Sequence, residues 1–260
     1  MTRTIRSIAA GLLAAVGITG CAGGDAVRVL FLHHSTGRVV WEGGVKRFFR
    51  DYRTPEGRRV RIEERDFPRE RPYGWNNYPY DYWNIWVAHA GGEPFMDEPT
   101  LEILTPRYDL IVLKHCFPVS GVAPDTGAPD VASAEKRLEN YRLQYEALRE
   151  KMRSFPGTNF LVWTPPALVE AKTTPEEAAR ADRFARWVRE EWDQPGDNIF
   201  LWDFRRLETA GGPCLLEEHA KSETNSHPND GFAARVAPLL GRRITAVLEG
   251  RGDEATLTGE

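Results

Sequence analysis

Val27-Arg28-Val29-Leu30-Phe31-Leu32-His33-His34-Ser35-Thr36-Gly37 decides the fold. Its first six residues are nearly all apolar, and the run stops abruptly at polar residues and a glycine, which reads as a buried strand entering a loop. A mixed helical pattern follows over 45–52. Residues 59–64, Arg-Val-Arg-Ile-Glu-Glu, alternate like a strand with one solvated face, which belongs nearer a sheet edge. The stretches 108–113, 158–163 and 198–202 are short and almost continuously apolar, as parallel strands covered on both faces must be.

Between these runs the period changes. Residues 133–155 place Leu138, Tyr141, Tyr145, Leu148 and Met152 on one helical face, and 175–192 and 232–248 show the same kind of stripe. In the charged run 180–191, Phe184 and Trp187 turn inward and the charges form a solvated face. Strands alternating with helices predict a doubly wound parallel sheet, whose right-handed crossovers put helices on both faces and whose ligands sit at the carboxyl ends of the strands.

At that rim the sequence offers Ser35 after the first strand, Asp66 after the second, Lys114 and His115 after the third, Thr164 after the fourth and Asp203 at the end of the fifth. His227 opens the last helical region. A nucleophile, a base and several polar groups therefore converge on one edge. A serine hydroxyl needs an imidazole to take its proton before it attacks, and a polar loop leaves backbone N–H groups to bind an oxyanion.

The ends of the chain read differently. Arg3 and Arg6 precede an apolar stretch over 8–18 that is too short to span a bilayer, so residues 1–20 are expected to be an export signal. Ile18-Thr19-Gly20-Cys21 resembles the lipobox of bacterial lipoprotein precursors, which implies lipidation at Cys21, a tether over 21–26 and a place in the cell envelope at a membrane. An ordinary signal cut near Ala22 would also export the chain. Residues 27–250 are expected to form one domain, with no linker or repeat dividing them, and 251–260 a disordered tail. The net charge of −4 comes without a basic stripe, which argues against nucleic acid as a partner. Cys116 and Cys214 would allow one disulfide, although Cys116 in an apolar run is more simply a buried thiol.

A serine directly after the first strand and His227-Pro228-Asn229 near the end, in a five-stranded α/β chain of this size, resemble the SGNH/GDSL hydrolases. The resemblance implies a flavodoxin-like three-layer α/β/α sandwich, Ser35 as nucleophile, His227 as base and no cofactor. Two positions depart from the family pattern. The orienting acid three residues before the histidine is replaced by Thr224, flanked by Glu223 and Asn225; either neighbour, or a backbone carbonyl, could orient the imidazole instead. The oxyanion asparagine after the third strand is missing from Lys114-His115-Cys116. The family's second-block glycine would fall at Gly74, which leaves Gly74, Asn76, Asn77 and His115 as oxyanion candidates.

Residues 73–86 hold seven aromatic rings, which either cover the sheet or line a cleft in which Trp75, Tyr78 and Trp83, with Lys114, would touch substrate. His33 and His34 point to opposite faces of an extended segment, and His34, His115 and His227 follow no ligand spacing, so a metal is not expected. Two functions follow: a serine esterase acting on a small-molecule or polysaccharide ester, or a glycan-binding lipoprotein on the same fold. An acyltransferase would share the esterase's first steps.

Overall fold

Alternation along each strand decides which layer a residue faces. The computed structural model describes residues 26–74 and 76–260. Its strands are β1 (Ala26–His33), β2 (Arg59–Asp66), β3 (Leu110–Leu113), β4 (Asn159–Trp163) and β5 (Ile199–Trp202), all parallel in the order β2-β1-β3-β4-β5. A short antiparallel pair, β6 (Ala220–Ser222) and β7 (Asn225–Pro228), follows. The helices are α1 (Thr36–Val40), α2 (Lys46–Phe48), α3 (Pro79–Trp83), α4 (Leu101–Leu104), α5 (Leu138–Arg153), α6 (Pro175–Trp187), α7 (Phe204–Thr209) and α8 (Asp230–Leu248).

Leu30, Leu32, Ile111, Leu113 and Phe160 pack with residues of α3, α5 and α6, while Val29, Phe31, Val112, Leu161 and Trp163 pack with Val40 of α1 and Val236, Leu240 and Ile244 of α8. That is the three-layer flavodoxin-like arrangement expected of the sequence. β2 pairs on one side only and its outer residues are exposed, which suits its alternating charges. Each fully buried Leu, Ile or Phe contributes roughly 1.5–3 kcal/mol relative to exposure, so the two apolar faces of the central strands dominate the stability.

One expectation is corrected. The stretch 251–260 is not a loose tail: it lies against β5 and α8, with the Leu257 carbonyl accepting from Asp203 N–H, the Thr258 carbonyl from Trp202 Nε1–H, and the Gly252 carbonyl from Arg243 Nη1–H. A Cβ at Gly252 would stand 2.4 Å from the Phe200 ring, so the chain crosses β5 closely only because no side chain is there. Cys116 and Cys214 are both free thiols, Cys116 buried. No helix among the described residues is long and apolar enough to cross a membrane. The expected export signal, Cys21 and most of its tether lie outside the described residues.

Candidate active site

The order β2-β1-β3 makes the carboxyl ends of β1 and β3 the switch point of the sheet, where the crossovers leave in opposite directions and a crevice opens. Ser35 follows β1 and Lys114 follows β3, so both stand at that point. Ser35 has φ 50° and ψ −104°, a conformation a non-glycine residue adopts at a cost on the order of 1–3 kcal/mol, and it sits on a sharp strand-to-helix turn. Gly37 N–H donates to the His34 carbonyl at 2.9 Å to close the turn. A Cβ at Gly37 would stand 2.5 Å from His33 Cβ and 2.9 Å from Lys114 Cδ, so the turn tightens only around glycine. Ser35 is half-buried at this turn.

His227 reaches the same place from β7. Ser226 Oγ accepts from Val169 N–H at 3.1 Å and pins the β6–β7 pair to the segment after β4, while Asn229 caps α8 through Oδ1 to Phe232 N–H at 2.8 Å. Ser35 Oγ and His227 Nε2 are hydrogen-bond partners. On the other side of the ring, His227 Nδ1 lies 2.7 Å from Asn225 Oδ1, which also accepts from His227 N–H at 3.1 Å. An amide oxygen can only accept, so Nδ1 carries the proton and Nε2 is left to accept from Ser35. Asn225 and His227 stand two apart on a strand and therefore share a face. Phe117 meets the imidazole edge-on, with ring centroids 5.1 Å apart. Burial, then Lys221, then Lys114 hold the His227 pKa below its ordinary value, which favours the neutral ring.

The other sequence candidates are placed elsewhere. Glu223 and Thr224 form the exposed turn between β6 and β7, where Thr224 N–H donates to Ser222 Oγ at 3.3 Å. Asn77 is fully buried and structural: its amide donates to the Phe67 carbonyl, and its own carbonyl accepts from Cys116 N–H at 2.8 Å. Asn76 is exposed, and its N–H, with that of Asn77, serves the Asp81 carboxylate. Gly74 is exposed, with no atom within 4 Å of where its Cβ would be. His115 is buried between Tyr82 and Tyr145, ring centroids 4.8 and 5.5 Å away, which turns it into the helical layer and holds its pKa down to about 3. Thr36 opens α1, and the leading N–H groups of a helix lack intrahelical partners.

The aromatic stretch is mostly core. Tyr82 and Trp86 are fully buried, and Tyr78 is buried with its hydroxyl on the Ala134 carbonyl at 2.9 Å, so Tyr78 does not line a cleft. Tyr80 and Trp83 remain partly exposed, and Trp75 lies outside the described residues. Asp66 pairs with Arg38 and lies 3.7 Å from His34 Nδ1, while His33 Nε2 bonds Glu64 at 2.8 Å. Burial holds the His33 pKa down to about 2, so its ring is neutral and donates. Asp203 Oδ1 caps α7 through Arg206 N–H at 3.2 Å and accepts from Thr164 at 3.0 Å. A groove of about 710 Å³ runs beside β2, with a lining that includes Trp41, Lys46, Arg50 and Ile62 but neither Ser35 nor His227.

Glu208 escaped the sequence reading. It is fully buried near the rim, with Oε1 accepting from Ala167 N–H at 2.5 Å, and burial pushes its carboxyl up to about 8. Its native pKa lies above the unfolded value, so its stabilisation is complete below about 4.5 and is lost as pH rises through about 8. His33 and His115 act oppositely, since their lowered values cost stability as pH falls below about 6.5. Comparing denaturant melts of wild type and Glu208→Gln at pH 5 and pH 8 isolates the carboxyl. The variant is expected to lack a loss on the order of 1 kcal/mol per pH unit across that range; parallel behaviour of the two proteins would contradict the assignment.

No family model and no curated protein matches this sequence. Among solved structures, the chain is similar to a gut microbial diltiazem-metabolizing enzyme at 12% identity with a TM-score of 0.46, over 88% of this chain and 47% of that one. The chain thus spans about half the length of that neighbour.

Proposed function

We propose that this chain is a serine hydrolase that cleaves an ester through an acyl-enzyme. The observation that carries the reading is the relay Ser35 Oγ, His227 Nε2, His227 Nδ1, Asn225 Oδ1, set on a strained turn at the switch point of the sheet. Ser35 Oγ attacks the acyl carbon while His227 Nε2 takes its proton. The resulting oxyanion faces the Ser35 and Thr36 N–H groups. His227 then gives the proton to the departing alcohol oxygen, and a water molecule deprotonated by the same nitrogen releases the acid from Ser35.

Asn225 fixes the tautomer but adds no charge to stabilise the imidazolium. Asn225→Ala is expected to lower kcat/KM by about 10- to 100-fold through loss of ring orientation. Asn225→Asp is expected to move the acidic limb of the pH profile upward, because a carboxylate favours the protonated ring. A pH series on both variants checks this, and wild-type profiles in both would remove Asn225 from the relay.

The half-buried, open position of Ser35 and His227 suits a small acyl group on a bulky alcohol, and Tyr80 and Trp83 keep ring surface for a sugar. With the lipobox-like Cys21, this favours acetyl or other acyl groups on an envelope carbohydrate, acted on by a lipid-anchored enzyme. Assaying the purified protein on p-nitrophenyl acetate and on acetylated oligosaccharides tests the reading. Turnover with release of acetate supports it; acyl transfer to a sugar makes the chain a transferase; carbohydrate binding without turnover makes it a binding protein.

A further inference from the structure

Lys114 is only 1% exposed, and a buried ammonium normally has a carboxylate partner. Here Nζ donates to the His34 carbonyl at 3.1 Å and to Cys116 Sγ at 3.2 Å, and no carboxylate pairs with it among the described residues. Glu208 lies within electrostatic range, but its raised pKa leaves it largely protonated at neutral pH, so it offers little neutralisation. The His34 carbonyl that Lys114 holds is the one that closes the Ser35 turn through Gly37 N–H, and the lysine stem, with the nearer His33 side chain, is what a Cβ at Gly37 would strike. An unpaired positive charge at this point is tolerable to the resting fold only at a cost, and it becomes favourable when negative charge appears beside it.

We propose that Lys114 is a positioning residue of the Ser35 site: its ammonium anchors the His34 carbonyl beneath the nucleophile turn and supplies the standing positive potential in which the Ser35 addition product forms. The inference rests on the serine-hydrolase reading and adds to it a buried cation at the nucleophile turn. The groups that face His227 are Ser35 from the β1–α1 turn, Phe117 and Lys114 from beyond β3, Lys221 from β6 and Asn225 from its own strand. Of the two cations, Lys221 is exposed and Lys114 is buried and therefore less screened.

The test compares the rate of fluorophosphonate modification of wild type, Lys114→Met and Lys114→Arg between pH 5 and pH 9, with circular dichroism as the check on folding. Lys114→Met is expected to react at least about 30-fold more slowly, with its acidic limb moved to higher pH because a cation has been removed from His227. Lys114→Arg, which keeps the charge, is expected to keep the limb where wild type has it. A folded Lys114→Met that reacts within about threefold of wild type with an unmoved limb would overturn the proposal. If the methionine variant does not fold, the arginine variant decides: a wild-type limb supports the role and a displaced one overturns it. An unreactive wild type would instead count against the hydrolase reading. The influence of Lys114 would then be read from the His227 titration by NMR, where a midpoint raised in Lys114→Met supports the proposal and an unchanged one overturns it.

Discussion

Replacing Ser35 by alanine is expected to lower kcat/KM on an activated acetyl ester by about 10⁴-fold or more, and His227→Ala by a comparable factor. On the proposed mechanism the two residues act as a unit, because Nε2 is useful only if Oγ is there to give up its proton. The double variant is therefore expected to be no worse than either single one, a non-additivity that marks a shared step. Neither change removes much buried apolar area, since both side chains are only half-buried, so melting points should move little. Steady-state assays of the three variants, with melts alongside, check both halves. Additive losses would mean that serine and histidine do not act in one proton transfer.

The second large effect concerns the carboxyl-terminal stretch. Truncation after Gly250 removes the carbonyl acceptors of Trp202 Nε1–H, Arg243 Nη1–H and Asp203 N–H, three donors on residues no more than 2% exposed. An unsatisfied buried donor costs about 1–3 kcal/mol, reduced where the truncation admits water, so a total loss of about 3–5 kcal/mol is expected. Against a total stability of about 5–15 kcal/mol, that lowers the melting point by about 6–20 °C in a domain of this size. Calorimetry of the truncated and full chains measures it, and a difference of less than about 2 °C would mean that the stretch contributes no net stability.

The contrast between strands and tail shows what the sequence could and could not convey. The apolar runs at 27–32, 108–113, 158–163 and 198–202 can be covered on both faces in few ways, and so β1, β3, β4 and β5 were legible. The stretch 251–260 contributes mainly backbone carbonyls and the absence of a side chain at Gly252, neither of which leaves a hydrophobic pattern. The rings of 73–86 were conspicuous, but aromatic side chains serve core and cleft equally well, and only burial separates Tyr78 and Tyr82 from Tyr80 and Trp83.

Ser35 and His227 could be singled out because chain order and strand ends place them on one rim. The orienting group was harder, since a position three before the histidine suits a loop, whereas here the histidine sits on β7 and the residue two before it shares its face. Period two would have favoured Asn225 over Thr224, had 225–228 been read as a strand. Lys114 drew notice as a charge at the end of a buried strand, but its lack of a carboxylate partner among the described residues depends on contacts 80 residues away along the chain.

The central claim is that Ser35 is an activated nucleophile, and covalent capture tests it most directly. The purified protein is treated with a fluorophosphonate probe and the adduct located by peptide mass mapping, with His227→Ala as the control for activation. One phosphonyl group on Ser35 in wild type and none in His227→Ala is the result expected. A folded wild type that takes up no probe, or an adduct that persists in Ser35→Ala, would contradict the account.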